Sequence, residues 1–213
     1  GRMSSWGLGY PQLSALNPSL IMASISGWGQ DGPRAQLPGF ANVAESVAGL
    51  RYLTGEPDRP PVRSSVSLGD SIAGLHAAFG VLAAVHHREK TPGRPGQHVD
   101  IALSESIFNM LEGILPEFDV FGVVRERSGA GLPGVAPTNT YPCAGGEWVV
   151  IGANSDAMFV RLMRELGRED LATAPDLRSN SGRVQRSEEI DEAIAAWTSS
   201  HTVAQVVEAL DAC

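Results

Sequence analysis

The run Gly69-Asp70-Ser71-Ile72-Ala73-Gly74-Leu75-His76-Ala77-Ala78-Phe79-Gly80-Val81-Leu82-Ala83-Ala84-Val85-His86 decides the reading of this chain. Ile72, Leu75, Phe79, Leu82 and His86 recur at the spacing that sets side chains on one helix face, with alanines between them. Asp70 precedes the apolar stripe and Thr91-Pro92-Gly93 interrupts it, so the spacing predicts a helix from about Asp70 to about Lys90. A short apolar run flanks it on each side. Ser19 to Ile25 (SLIMASI), after Asn17-Pro18, reads as a buried parallel strand, and Val99 to Leu103 (VDIAL) as a second short strand. Strand, helix, strand is an α/β arrangement. Val43, Val47 and Leu50 predict a further helix over about 41–53, and Ile107, Phe108, Leu111 and Leu115 predict another that closes near Pro116.

Beyond residue 125 the texture changes. The stretch 126–139 (ERSGAGLPGVAPTN) is rich in glycine and proline and poor in large apolar residues, so 126–137 reads as a linker or an active-site loop. Thr140 to Ala153 then reads as a β-hairpin turning at Ala144-Gly145-Gly146, with Trp148-Val149-Val150-Ile151 returning. Phe159, Leu162, Met163 and Leu166 mark a helix with Gly167 just past its end. Two helices close the chain. One carries Ile190, Ile194 and Trp197; the other opens on the capping box Thr202-x-x-Gln205 and is expected to bury Val203, Val206, Val207 and Leu210. The expected division is 1–125 as αβ layers and 138–213 as a small α+β unit.

Composition narrows the function. The chain has 213 residues, enough for one domain or somewhat more. Its net charge of −8, with the cations unclustered, argues against a nucleic-acid groove. No apolar run reaches the roughly 20 residues of a membrane span, so no membrane partner is expected. Cys143 and Cys213 are too few for a disulfide framework or an all-cysteine zinc site, and a reduced, cytoplasmic setting is the default. Gly1-Arg2 ahead of Met3 reads as an expression remnant.

The residues offer one candidate for chemistry. No metal-binding spacing joins the histidines, and there is no G-x-S-x-G elbow, Walker A loop or strand-linked G-x-G-x-x-G. His86 and His87 read as helix-end residues beside Arg88 and Lys90, and His76 as a packed or surface histidine. Asp70 has two readings. It is an N-cap for the helix that follows, or it is a carboxylate nucleophile at a helix N-terminus, where negative charge is favoured. Gly69, Ser71 and Gly74 leave the backbone open to a ligand in the second case.

Several blocks resemble the family III CoA-transferases. They are Asn17-Pro18-Ser19-Leu20-Ile21 running into Ser24-Ile25-Ser26-Gly27-Trp28-Gly29-Gln30-Asp31-Gly32-Pro33; Pro38-Gly39-Phe40 with Gly49-Leu50 and Thr54-Gly55-Glu56-Pro57; Gly69-Asp70 with Gly74-Leu75 and Gly80-Val81-Leu82; Gly96-Gln97-His98-Val99-Asp100; and Ala136-Pro137 through Tyr141-Pro142 and Val149-Val150-Ile151-Gly152-Ala153. Together they cover nearly the whole chain. The resemblance implies an α/β fold: part of the family's Rossmann-like layered domain, followed by a small α+β domain. It implies that Asp70 attacks an acyl-CoA thioester and comes to carry CoA as an aspartyl thioester, which an acceptor carboxylate then relieves. Backbone N–H groups and exclusion of water would favour these steps. It places Gly27, Trp28, Gly29, Gln30 and Phe40 along the CoA and substrate channel, and likens the glycine stretch holding Gly129 and Gly131 to a loop that covers the site. The implied partners are an acyl-CoA, a carboxylic acid acceptor and a second copy of the chain in a homodimer. No tightly bound cofactor or metal is implied; coenzyme A enters as a thioester substrate.

The departures are specific. Racemases of the family carry histidine where this chain has Phe40, and Cα proton shuttling needs an acid and a base, one on each face. An acyl-CoA racemase is therefore the alternative, and a non-catalytic assembly or binding remnant is the third reading. Many transferases have aspartate where this chain has Ala41. Family members are longer, and this chain is expected to enter after their opening elements, near Trp6-Gly7-Leu8-Gly9, and to stop within the small domain or its return linker. On that expectation the isolated chain is a weak enzyme that a complementing N-terminal fragment would assist.

Overall fold

The computed structural model describes residues 2–212. Gly1 and Cys213, and with them the remnant reading of the first residue and the second cysteine, lie outside the described residues. Two compact units divide the chain, Gly1–Arg127 and Ser128–Cys213.

The first unit holds α1 (Arg2–Ser5), α2 (Tyr10–Leu16), β1 (Ile21–Ser26), α3 (Ala41–Val47), α4 (Leu50–Leu53), α5 (Leu68–Lys90), β2 (Gln97–Ala102), α6 (Leu103–Phe108) and α7 (Ile114–Phe121). Strands β1 and β2 pair in parallel, with Ile21 opposite Gln97 and Ser26 opposite Ala102. Parallel pairing needs a long crossover, which α3, α4 and α5 supply. Gly96 sets the entry to β2: its N–H donates to Pro18 O at 2.7 Å, and a Cβ there would fall 1.9 Å from Leu20 O. On one sheet face, Val99 and Ile101 carry α5. Gly80 makes this approach possible, because a Cβ at that position would lie 2.7 Å from Val99 Cγ1.

The helix expected from about Asp70 runs from Leu68 to Lys90, but it seats a different face. Gly69, Ala73, Ala77 and Ala84 are buried, whereas Leu75, Phe79 and Leu82 are 71%, 74% and 68% exposed. Small residues let α5 lie close to the sheet and to α3; the large stripe faces away. α5 is also long and apolar enough by composition to cross a membrane, although the sequence reading found no apolar run of that length. Strand β1 is parallel as expected but not buried: Ile25, on the face of Val99 and Ile101 by register, is half exposed. The helix expected over 41–53 breaks in two at Gly49, whose φ of +100° starts α4. The helix expected to close near Pro116 also divides. Glu112 takes a positive φ, and Pro116 lies in the first turn of α7, where a missing N–H costs no helical hydrogen bond.

The second unit pairs β3 (Thr138–Pro142) antiparallel to β4 (Trp148–Gly152), with Thr140 opposite Val150. The turn between them carries Gly145 and Gly146, both at positive φ. Then follow α8 (Asp156–Glu165), α9 (Glu169–Thr173), α10 (Asn180–Gln185), α11 (Ser187–Thr198) and α12 (Val203–Ala212). Phe159, Leu162 and Met163 of α8 are buried as their spacing predicts, and Gly167 ends that helix at φ +72°. Tyr141, Ile151, Leu171, Leu177, Ile190, Ile194 and Val206 complete the core. The Thr202–Gln205 capping box forms: Thr202 N–H donates to Gln205 Oε1 at 2.9 Å, and Gln205 N–H to Thr202 Oγ1 at 3.3 Å. Val207 differs from expectation; it is exposed while Val206 takes the core position.

Candidate active site

The candidate residues of the first unit are joined by close approaches of backbone. Gly27 follows β1 and lies against Gly39, so near that a Cβ on Gly27 would sit 2.6 Å from Gly39 Cα. Trp28 secures the pair: its indole N–H donates to Pro38 O at 3.3 Å, and the Arg34 guanidinium lies over its ring at 5.3 Å. Gly29 turns the chain at φ +88°, and the next N–H, that of Gln30, donates to Asp100 Oδ2 at 2.7 Å. Two residues after Gly39, Ala41 lies under the start of α5, where a Cβ on Gly69 would meet Ala41 Cβ at 3.1 Å. Phe40, between these contacts, is 72% exposed.

Asp70 is not the N-cap of α5. Ser67 holds that position and makes no side-chain capping bond, and Asp70 is the third helical residue. Its side chain is exposed, and among the described residues its carboxylate has no hydrogen-bond or ion-pair partner. The cavity that Gln30 lines, about 690 Å³, is completed by Tyr10, Ser24, Ser26 and His98 and does not include Asp70. In that cavity the Tyr10 and His98 rings stack at 5.2 Å, and Ser24 Oγ and His98 Nε2 are 2.8 Å apart. His76 is engaged within the unit, with Nδ1 3.0 Å from Ile72 O and Nε2 3.2 Å from Asn109 Nδ2.

Gly129 and Gly131 belong to the second unit. Ser128 Oγ donates to Gly131 O at 2.7 Å, and Gly129 has a positive φ. The segment that follows is strapped down. Asn180 Nδ2 donates to Gly134 O at 2.8 Å, Ala136 N–H donates to Asn180 Oδ1 at 3.1 Å, and Arg183 Nε donates to Ala136 O at 3.0 Å. Arg183 is fully buried and also donates to Leu177 O, Asn154 O and Asp156 Oδ1, with Phe159 beneath its guanidinium. Burial, and then the hydrogen bond to Asp191, pushes the Tyr141 hydroxyl pKa far up. Burial also raises that of the Cys143 thiol, and the charge of Glu147 adds to it. Among the described residues no group of three His, Cys, Asp or Glu side chains is placed to hold a metal ion.

Sequence reading missed Asp100, Asn180, Arg183 and Glu45. Glu45 had one local signal, a lone acid in the small and apolar stretch Asn42 to Leu50. The residue is 2% exposed, and its carboxylate accepts the Gly69 N–H at 3.1 Å.

Comparison with known proteins gives the family. The model of the CoA-transferase family III matches residues 1–213, and the chain belongs to that family. It is 44% identical over 211 residues to a succinyl-CoA–D-citramalate CoA-transferase of Chloroflexus aurantiacus, a match that covers 99% of this chain and 52% of the relative. It is 33% identical over 204 residues to a succinyl-CoA:mesaconate CoA-transferase of Haloarcula hispanica, covering 94% and 50%. A CaiB/BaiF family protein from Brucella suis superposes with a TM-score of 0.82 at 30% identity, covering all of this chain and 55% of that one. The chain spans about half the length of the curated relatives it matches.

Proposed function

We propose that this chain carries the nucleophile of a CoA-transferase that moves CoA from succinyl-CoA to a short dicarboxylate, with Asp70 as the attacking carboxylate. One observation carries the reading. The Gly-Asp pair characteristic of the family falls on the first turn of α5, where Gly69 is held and the Asp70 carboxylate is unpartnered. A carboxylate oxygen of Asp70 attacks the thioester carbon, the C–S bond breaks, and CoA thiolate leaves a mixed anhydride. The thiolate attacks the aspartyl carbonyl, releasing succinate and forming an aspartyl-CoA thioester. The acceptor carboxylate attacks that carbonyl and displaces the thiolate, which then takes the acceptor's acyl carbon and frees Asp70. Splitting the transfer in this way replaces one difficult displacement by easier ones. The substrate class rests on the relatives, whose names pair succinyl-CoA with D-citramalate, L-malate and mesaconate, and succinate with glutarate.

The assembly proposed is a homodimer. It is supported by the exposed stripe Leu75, Phe79 and Leu82, because a contiguous apolar face favours burial against a partner. Sedimentation that shows only monomer at tens of micromolar would count against the dimer. The activity is tested by incubating the chain with succinyl-CoA and digesting it for mass spectrometry. The expected result is a CoA adduct on the peptide that contains Asp70, lost in Asp70→Asn. Wild-type exchange of labelled succinate into succinyl-CoA by Asp70→Asn would refute the assignment.

A further inference from the structure

The N-terminus of α5 is capped from another helix. The first N–H groups of any helix lack partners within it, and a local side chain usually supplies one. Ser67 does not. Glu45 of α3 does so in its place: Oε1 accepts the Gly69 N–H at 3.1 Å, and Oε2 lies 3.6 Å from Arg51 Nη2. Glu45 is buried, and Arg51 Nη2, itself buried, has no hydrogen-bond partner, so the pairing between them is electrostatic. A buried carboxylate is costly unless it is paired and hydrogen-bonded. Here the Arg51 guanidinium supplies the paired charge and the Gly69 N–H the hydrogen bond. Gly69 must be glycine for this to occur, since a Cβ would crowd Ala41 Cβ at 3.1 Å and Glu45 Oε1 at 3.4 Å.

The residue that follows Gly69 is Asp70. Resting on the reading of Asp70 as nucleophile, we propose that Glu45, held by Arg51, is the positioning residue that sets the first turn of α5 and thereby the attack geometry of the Asp70 carboxylate. Glu45 does not touch substrate. It fixes the backbone from which the nucleophile projects. Near-attack placement is sensitive to shifts of about 1 Å, worth about 100-fold in rate. Freeing Gly69 lets the first turn fray by that order, because nothing local replaces the cap.

The experiment uses the 213-residue chain, Glu45→Ala and Glu45→Gln. Two quantities are read: exchange of the Gly69 amide by NMR, and the rate and half-saturation of CoA-adduct formation on Asp70 with succinyl-CoA. Glutamine keeps a carbonyl oxygen for the Gly69 N–H. Glu45→Gln should therefore retain amide protection and form adduct within about 10-fold of wild type. Glu45→Ala should lose protection and slow adduct formation by about 100-fold at unchanged half-saturation. If Glu45→Ala does not fold, Glu45→Gln still leaves the proposal open to refutation. Protection kept with the adduct rate lost, or protection lost with the rate kept, overturns the proposal in either variant. Absence of adduct in the wild type, both alone and with the complementing N-terminal segment of the relatives supplied, with Gly69 protected, refutes the Asp70 reading and with it the positioning role. A protected Gly69 amide that Glu45→Ala leaves unchanged refutes the role of Glu45 alone.

Discussion

Gly27→Ala tests the contact on which the candidate site is built. The added Cβ would lie 2.6 Å from Gly39 Cα, 3.2 Å from its carbonyl carbon and 3.3 Å from its oxygen. Carbon atoms rest at about 3.5–4 Å, so the two segments must part by about 0.9 Å. Both sides of the contact are backbone, and no side-chain rotation relieves it. Overpacking of this kind costs about 1–3 kcal/mol, and the rigidity of both partners places Gly27→Ala at about 2–3 kcal/mol. Gly74→Ala is the internal control. Gly74 lies within α5 with no atom within 4 Å of the Cβ position, so the same methyl group should stabilise by about 0.5–1 kcal/mol through helix propensity. Urea unfolding is followed by hydrogen exchange and mass spectrometry, with peptides before and after residue 127 read separately so that each unit has its own midpoint. The first unit's midpoint should fall in Gly27→Ala and rise in Gly74→Ala, with the second unit's unchanged. A Gly27→Ala protein within about 0.5 kcal/mol of wild type would refute the close approach of Gly27 and Gly39.

Three further outcomes follow from the second unit. Arg183→Met removes the donor shared by the carbonyls of Ala136, Asn154 and Leu177 and should cost about 3–5 kcal/mol in urea unfolding of that unit; a loss under about 1 kcal/mol would show the guanidinium to be dispensable. Hydrogen bonds from Arg168 hold Asp170 down to about 2, and those from Arg186 hold Asp176 and Glu189 below their ordinary values of 3.8 and 4.5. These folded-state values lie below the unfolded ones, so the associated stability is complete above about pH 4.5 and is lost as pH falls toward about 2; the second unit's urea midpoint should drop across that window, and Arg186→Met should flatten the drop. Thr202→Ala removes the acceptor for the Gln205 N–H and should cost about 1 kcal/mol, read from the same midpoints; no change would mean the cap contributes nothing to the packing of α12.

Much of the second unit was legible because its signals are local. The hairpin is marked by turn residues between two β-rich runs, the α8 stripe by its spacing, and α12 by a capping box, each decided within a few residues of chain. The first unit yielded less. Gly49 carried the signal that divides 41–53 into two helices, but the apolar residues on both sides masked it. Pro116 was read as a stop, though a proline serves equally in a helix's first turn. Asp70 was found as a residue while its surroundings were not. The N-terminus expected at Asp70 belongs to Ser67, and the bond that holds Gly69 comes from Glu45, 24 residues away in the chain.

By itself the sequence determined that a helix ending near Lys90 lies between two short strands, and that a Gly-Asp pair stands near its start. Local hydrogen bonding and periodicity are properties of neighbouring residues, so they can be read in order. Only the tertiary structure decided which face of that helix is buried. Ile72, Leu75, Phe79 and Leu82 make the more apolar stripe, yet Gly69, Ala73, Ala77 and Ala84 are the buried set. Periodicity marks both stripes and does not choose between them. The choice falls to the close approach that small residues permit, Gly80 over Val99 and Gly69 over Ala41, where large side chains would hold the backbones apart.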